Sequence, residues 1–318
     1  MTAPAVPAAS SLVNLQRVRR TLEQRGLTPA HWAPEPTRAR PEEPEIRPAR
    51  LVEGDTLRAI PVGPATVCPH VVAFLDGTQR FELVGYAGTV PLFFAEVAAV
   101  VRERVDRRLR TAVWSKRSFF LGRRAALEAA GLEDDGYDVA PLPDDVSPHP
   151  LRQLEAARRA IDDARGALER AVGDRYRAGA GGWLFVDGSL SESPSWAADP
   201  RMIGVVKSHA SLPFDGEMLV EYLRLPPGHR TPVFRPVTRQ VAPVYSWALR
   251  LWPWQGKDLL HGLIRVEAAE GPATLALADE ASRWLLAERV PLSTPDARWD
   301  RLLYGVHDAE MFLRVRHQ

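Results

Sequence analysis

Hydrophobic and polar positions divide the chain into a few well-patterned blocks. In 11–26, SLVNLQRVRRTLEQRG, residues Leu12, Leu15, Val18 and Leu22 recur at helical spacing with arginines on the other face, and Gly26 supplies a stop. VCPHVVAFLDGT (67–78) is rich in β-branched and aromatic residues and closes on Asp-Gly, so it predicts a strand ending in a tight turn. RFELVGYAGTV (80–90) predicts a second strand, antiparallel to the first. PLFFAEVAAVVRERV (91–105) is so continuously apolar at its start that periodicity does not separate strand from helix. Residues 133–148 are acidic and Pro-rich, a loop. Residues 150–177 carry an apolar stripe of Leu151, Leu154, Ile161, Leu168 and Val172, which predicts a long amphipathic helix with Pro150 in its first turn.

After GAGG (179–182) the pattern returns to strands. WLFVDGSLS (183–191) is an apolar run that again ends in Asp-Gly, and MIGVVKSH (202–209) ends in a basic residue. TPVFRPV, VAPVYSWALRLWP and HGLIRVEAA read as further strands, ATLALADEASRWLLAERV as a helix, and DRLLYGVHDAEMFLRVR as a closing helix. Residues 33–50 hold five prolines among many charges and suit an extended linker. The expected division is therefore a helix and Pro-rich strap over 1–60, followed by one α/β domain over 61–318.

Composition adds bounds rather than chemistry. With 318 residues, 45% hydrophobic and 25% charged, the chain has the makeup of a soluble globular protein. A net charge of +1 neither demands nor excludes nucleic acid. The single Cys68 rules out an internal disulfide framework and fits a reducing, cytoplasmic setting. The N-terminus lacks the form of a secretory signal, and charge interrupts the best apolar stretches, so no membrane span is expected. Neither zinc-type Cys/His spacing nor a phosphate-binding G-x-x-x-x-G-K-[ST] loop is present.

The two Asp-Gly ends carry the functional question. An Asp at the end of a buried strand is costly unless it is paired, hydrogen-bonded or metal-bound. If the two strands are neighbours, Asp76 and Asp187 emerge at similar depth, and convergent carboxylates are hard oxygen ligands for Mg²⁺ or Mn²⁺. Either aspartate alone is an ordinary turn residue. The basic, aromatic stretch KRSFFLGRR (116–124) is a candidate groove for single-stranded DNA, with Arg117, Arg123 and Arg124 on phosphates and Phe119 on bases. Trp252 and Trp254 read as core, a dimer contact or a stacking platform.

A strand with a terminal Asp, two more strands, a helix, and a strand with a second Asp follow the order of the ribonuclease H-like fold, a mixed central sheet flanked by helices. Across 66–318 the chain resembles the NurA nucleases, which work with the HerA ATPase in DNA end processing. AFLDGT (73–78), LFVDGSL (184–190), IGVVKSH (203–209) and LLYGVHDAEMFLR (302–314) carry that resemblance. It implies a metal-dependent deoxyribonuclease, of exonuclease type, with two Mn²⁺ or Mg²⁺ ions. Asp76 and Asp187 match metal-binding aspartates, Lys207 a basic residue for phosphate, His307 a helical His near the metals, and Tyr245 an aromatic lining residue that contacts DNA. A helical Glu completes the ligand set, with Glu155 preferred over Glu169 and Asp174 open as well. The resemblance also implies a homodimer that accepts DNA and docks on a HerA-type hexameric translocase, in repair or phage defence. A catalytically inactive DNA clamp or adaptor on the same fold is the alternative.

Overall fold

The structure is a computed structural model and describes residues 13–29, 45–179, 181–237, 242–290 and 292. The expected closing helix and His307 lie outside these residues. The longer elements are helix α1 (Leu15–Gln24), strands β1 (Val72–Ala87), β2 (Val90–Val105) and β3 (Arg108–Gly122), helix α2 (Pro150–Gly179), strands β4 (Trp183–Asp187), β5 (Met202–Val206), β6 (Tyr245–Arg250) and β7 (Leu263–Ala268), and helix α3 (Pro272–Glu288).

The two stretches expected as separate strands around Asp76 are one. Strand β1 runs for 16 residues through Asp76-Gly77 without turning. The hairpin comes later, at Gly88-Thr89, where Gly88 adopts φ +61°. A second two-residue turn joins β2 to β3 at Asp106 and Arg107, both at positive φ (50° and 62°). That is the backbone pattern of a type I′ hairpin, whose twist suits the flanking strands. The undecided segment 91–105 is a strand.

The described residues divide into two compact units, one within 1–43, 76–100 and 113–178, the other within 44–75, 101–112 and 179–318. The division does not fall at residue 60, because the N-terminal helix packs with the strands that follow it. In the first unit Val18 and Leu22 of α1 meet Val84, Leu92, Phe94 and Phe120. Leu83, Phe93, Ala95, Val97, Phe119 and Leu121 meet Leu154, Ala157 and Ile161 of α2. Successive residues of β2 thus bury opposite faces, which is why its sequence is nearly all apolar and shows no period of two. In the second unit Val72, Phe185, Ile203, Trp247 and Val266 pack on Ala278, Ala281 and Trp284 of α3. A separate cluster places Phe234, Ala248 and Leu263 against Phe214, Tyr222 and Leu225, beside the short helix Gly216–Leu223.

The order of the long strands is β3-β2-β1-β4-β5-β7-β6. The pairs β1/β4 and β4/β5 are parallel, while β5/β7 and β6/β7 are antiparallel. The run 3-2-1-4-5 is the ribonuclease H-like order, here extended by antiparallel strands.

Candidate active site

Four residues of β1 pair with β4 in the second unit: Val72 with Trp183, Ala73 with Leu184, Phe74 with Phe185 and Leu75 with Val186. The Phe74 and Phe185 rings meet edge to face at 5.7 Å, which fixes the register through side chains as well as backbone. One residue beyond the last pair, the two strands reach Asp76 and Asp187.

Asp187 ends β4, and Gly188 takes φ +144°, a conformation reserved in practice for glycine. On β5, Val205 lies opposite Asp187 and Lys207 follows just past the strand end. The Lys207 Nζ donates to Asp187 Oδ2 at 2.6 Å. Both groups face solvent, the lysine at 65% and the aspartate at 40% exposure, so the pair can open at little cost.

The turn after Asp187 is held from below. Gly204, on β5, leaves room for it: a Cβ there would lie 2.8 Å from the Gly188 carbonyl oxygen and 3.0 Å from Leu190 Cγ. Glu267, the β7 residue paired with Gly204, is fully buried. Its carboxylate accepts hydrogen bonds from Ser189 Oγ at 2.7 Å and Leu190 N at 2.9 Å, and from Arg265 Nη2 at 3.0 Å. Sequence reading passed over Glu267, since VEA inside an apolar strand carries no motif. Its signal was a carboxylate in a strand that is apolar apart from Arg265.

In the first unit, Asp76 Oδ1 accepts the Gly77 N–H at 2.8 Å. The glycine admits a neighbour: a Cβ on Gly77 would lie 2.1 Å from Glu169 Oε1 and 2.7 Å from its Cγ. Glu169, on α2, therefore lies against the β1 backbone one residue from Asp76. It is 14% exposed and paired with Arg165 one turn earlier. Arg165 Nε donates to Gln79 Oε1 at 3.1 Å, and Gln79 Nε2 donates to Asp162 Oδ1 at 2.8 Å, so one face of α2 is laced along β1.

Glu155, the preferred helical ligand, does not reach this point. It sits 14 residues, about 21 Å along the helix axis, from Glu169. It is 54% exposed and bonded to Arg152. The helix is as expected; the turn of it that meets the aspartate strand is a different one. Asp174, the third alternative, lies further along the same helix.

The proposed DNA groove at 116–124 is also revised. Phe119 is 1% exposed and packs in the α2-facing core, and Phe120 packs in the α1-facing core, so neither ring can stack on a base. Arg117 forms two hydrogen bonds to Asp138 and lies 4.6 Å over the Phe119 ring. Arg123 donates to the Val146 carbonyl, leaving Arg124 exposed at the start of the helix Arg124–Ala130. Alternation along a strand explains the error: at Phe119-Phe120 consecutive residues face two different cores. Tyr245 opens β6, half-buried, with the Arg235 guanidinium 5.9 Å over its ring.

Among the described residues, no group of three or more His, Cys, Asp or Glu side chains is arranged to hold a metal ion. Asp187, at the end of β4, and Asp76, within β1, are each hard oxygen donors of the kind a divalent cation takes. Mg²⁺ commonly takes one or two carboxylates and completes its shell with water and substrate phosphate. The ammonium on Asp187 marks that carboxylate as a position that accepts positive charge.

No family model and no curated protein matches the chain. Among solved structures, the crystal structure of the NurA nuclease from Sulfolobus solfataricus is similar to it, at 11% identity. The similarity covers 74% of this chain and 78% of that one, with a TM-score of 0.46.

Proposed function

We propose that this chain is a divalent-metal-dependent DNA nuclease whose active site forms around Asp76 and Asp187. The observation that carries the reading is the in-register parallel pairing of Phe74 with Phe185 and Leu75 with Val186. Residues two apart on a strand share a face, so Asp76 follows the face of Phe74 and Asp187 that of Phe185. The strand order, the sequence motifs shared with NurA nucleases, and the approach of Glu169 to Gly77 support the same reading.

In this proposal Asp76, Asp187 and Glu169 are the carboxylate ligands of Mg²⁺ or Mn²⁺, with His307 added by the resemblance alone. The bound cation would polarise the phosphodiester and make a nucleophile of water at neutral pH. Lys207 balances Asp187 in the free protein and turns its exposed ammonium to a substrate phosphate when DNA arrives. The NurA resemblance further supplies a homodimer, a HerA-type hexameric ATPase as partner, and a role in end processing, while the single Cys68 supports a cytoplasmic setting.

A second reading, an inactive clamp or adaptor of a translocase, draws on the cations already paired with Asp187 and Glu169. One experiment separates the two. End-labelled single- and double-stranded DNA is incubated with the full chain and Mg²⁺ or Mn²⁺. Metal-dependent cleavage that is lost in folded Asp76→Asn and Asp187→Asn supports the nuclease. No cleavage and no measurable Mn²⁺ binding by the wild-type chain supports the adaptor.

A further inference from the structure

We infer that Glu267 is a positioning residue, fixing the turn that aims Asp187 and thereby setting the affinity of that carboxylate for a divalent cation. The inference rests on the reading of Asp187 as a metal ligand. It concerns a residue on a different strand, 80 positions away in the sequence.

The argument begins with cost. A carboxylate removed from water is expensive unless hydrogen bonds replace its hydration. Glu267 has no exposed surface and lies between Val266 and Ala268, both buried in the apolar interior. An apolar residue at 267 would serve the sheet equally well. The acid's hydrogen bonds go elsewhere: two of them, from Ser189 Oγ and Leu190 N, come from the turn that begins at Asp187-Gly188. The third, from Arg265 Nη2, supplies the counter-charge.

The strand between them is adapted to this reach. Gly204 stands between β4 and β7, paired with Val186 on one side and Glu267 on the other. Any larger residue there would strike Gly188 and Leu190. Three strands thus combine to hold one turn: β4 contributes the Asp, β5 the gap, and β7 the acceptor. Among the described residues the Asp187 side chain is tied by an exposed lysine, so its direction is set through the backbone of the turn.

The test is a Mn²⁺ titration of the full chain, read by the signal of free Mn²⁺, with hydrogen exchange at the Leu190 amide as a second readout. Glu267→Gln keeps the shape and removes the charge. It is expected to stay folded, to bind Mn²⁺ about 10–100-fold more weakly, and to lose protection at Leu190. Ser189→Ala removes one bond to the same carboxylate, together with the Ser189 cap on the Ser191 N–H, and is expected to weaken Mn²⁺ several-fold. It carries the test if Glu267→Gln does not fold. Wild-type Mn²⁺ affinity in the folded variant, while Asp187→Asn abolishes binding, overturns the inference. Binding that survives Asp187→Asn instead overturns the metal site itself. Unchanged Leu190 exchange in the folded variant then independently overturns the positioning role.

Discussion

Replacing Asp187 by Asn separates function from stability more sharply than any other change at the site. The ion pair with Lys207 is short, 2.6 Å, but its partners are 40% and 65% exposed. Exposed pairs contribute about 0–1 kcal/mol, because solvent screens the charges and long side chains lose freedom in forming them. The substituted amide would keep the size and one oxygen, leave Lys207 in water, and create no buried unpaired charge. The expected loss of stability is therefore below about 1 kcal/mol, a fall in Tm of no more than about 2–4 °C. The expected loss of cleavage is far larger. A ligand to a catalytic cation contributes several kcal/mol to the transition state, and a loss of about 3–4 kcal/mol lowers the rate by about 10²–10³. Thermal unfolding followed by circular dichroism, alongside Mn²⁺-dependent cleavage of end-labelled DNA, reads both. A folded Asp187→Asn protein that cleaves like wild type refutes the assignment. A Tm drop of about 10 °C or more refutes the reasoning about the exposed pair.

Glu169→Gln is expected to lower Mn²⁺-dependent cleavage about 10-fold or more while Glu155→Gln leaves it unchanged, measured on the same substrate; the reverse order would restore Glu155 as the ligand. Phe119→Ala is expected to cost about 3–5 kcal/mol in a urea titration, since the ring is core, with DNA affinity of the folded fraction unaltered; weakened DNA binding without lost stability would contradict its burial. Burial pushes the His209 imidazole below its ordinary pKa, reinforced by Arg265 and Arg250 and opposed by its bond to the Leu263 carbonyl. The unfolded chain then binds more protons than the folded one just below about pH 6.5, so stability is full above about pH 6.5 and falls as the pH drops through the window down to the folded value. His209→Gln should flatten that limb of a Tm-against-pH curve, and an unchanged slope would remove His209 as its source.

Much of the architecture was written locally. The long helix at 150–179, the strands ending at Asp187 and Val206, and the helix at 272–288 follow from periodicity and Gly or Pro boundaries, because their contacts impose a repeat on nearby residues. The two Asp-Gly stretches are visible in the same way. Sequence left β2 undecided because strands buried on both faces lose their alternation, and it misplaced the first turn because Asp-Gly permits a bend without requiring one.

What tertiary structure alone decided is which residues meet. Gly77 is the point where Glu169 meets β1, and nothing in RQLEAARR or ALERAVG distinguishes one helical Glu from another until the helix docks. Glu267 reaches the Asp187 turn through a register that sets it across Gly204 from that turn. Local propensity acts over a few residues, whereas these contacts join positions about 80 to 90 residues apart. Their partners are chosen by packing and strand register, which no short window of sequence contains.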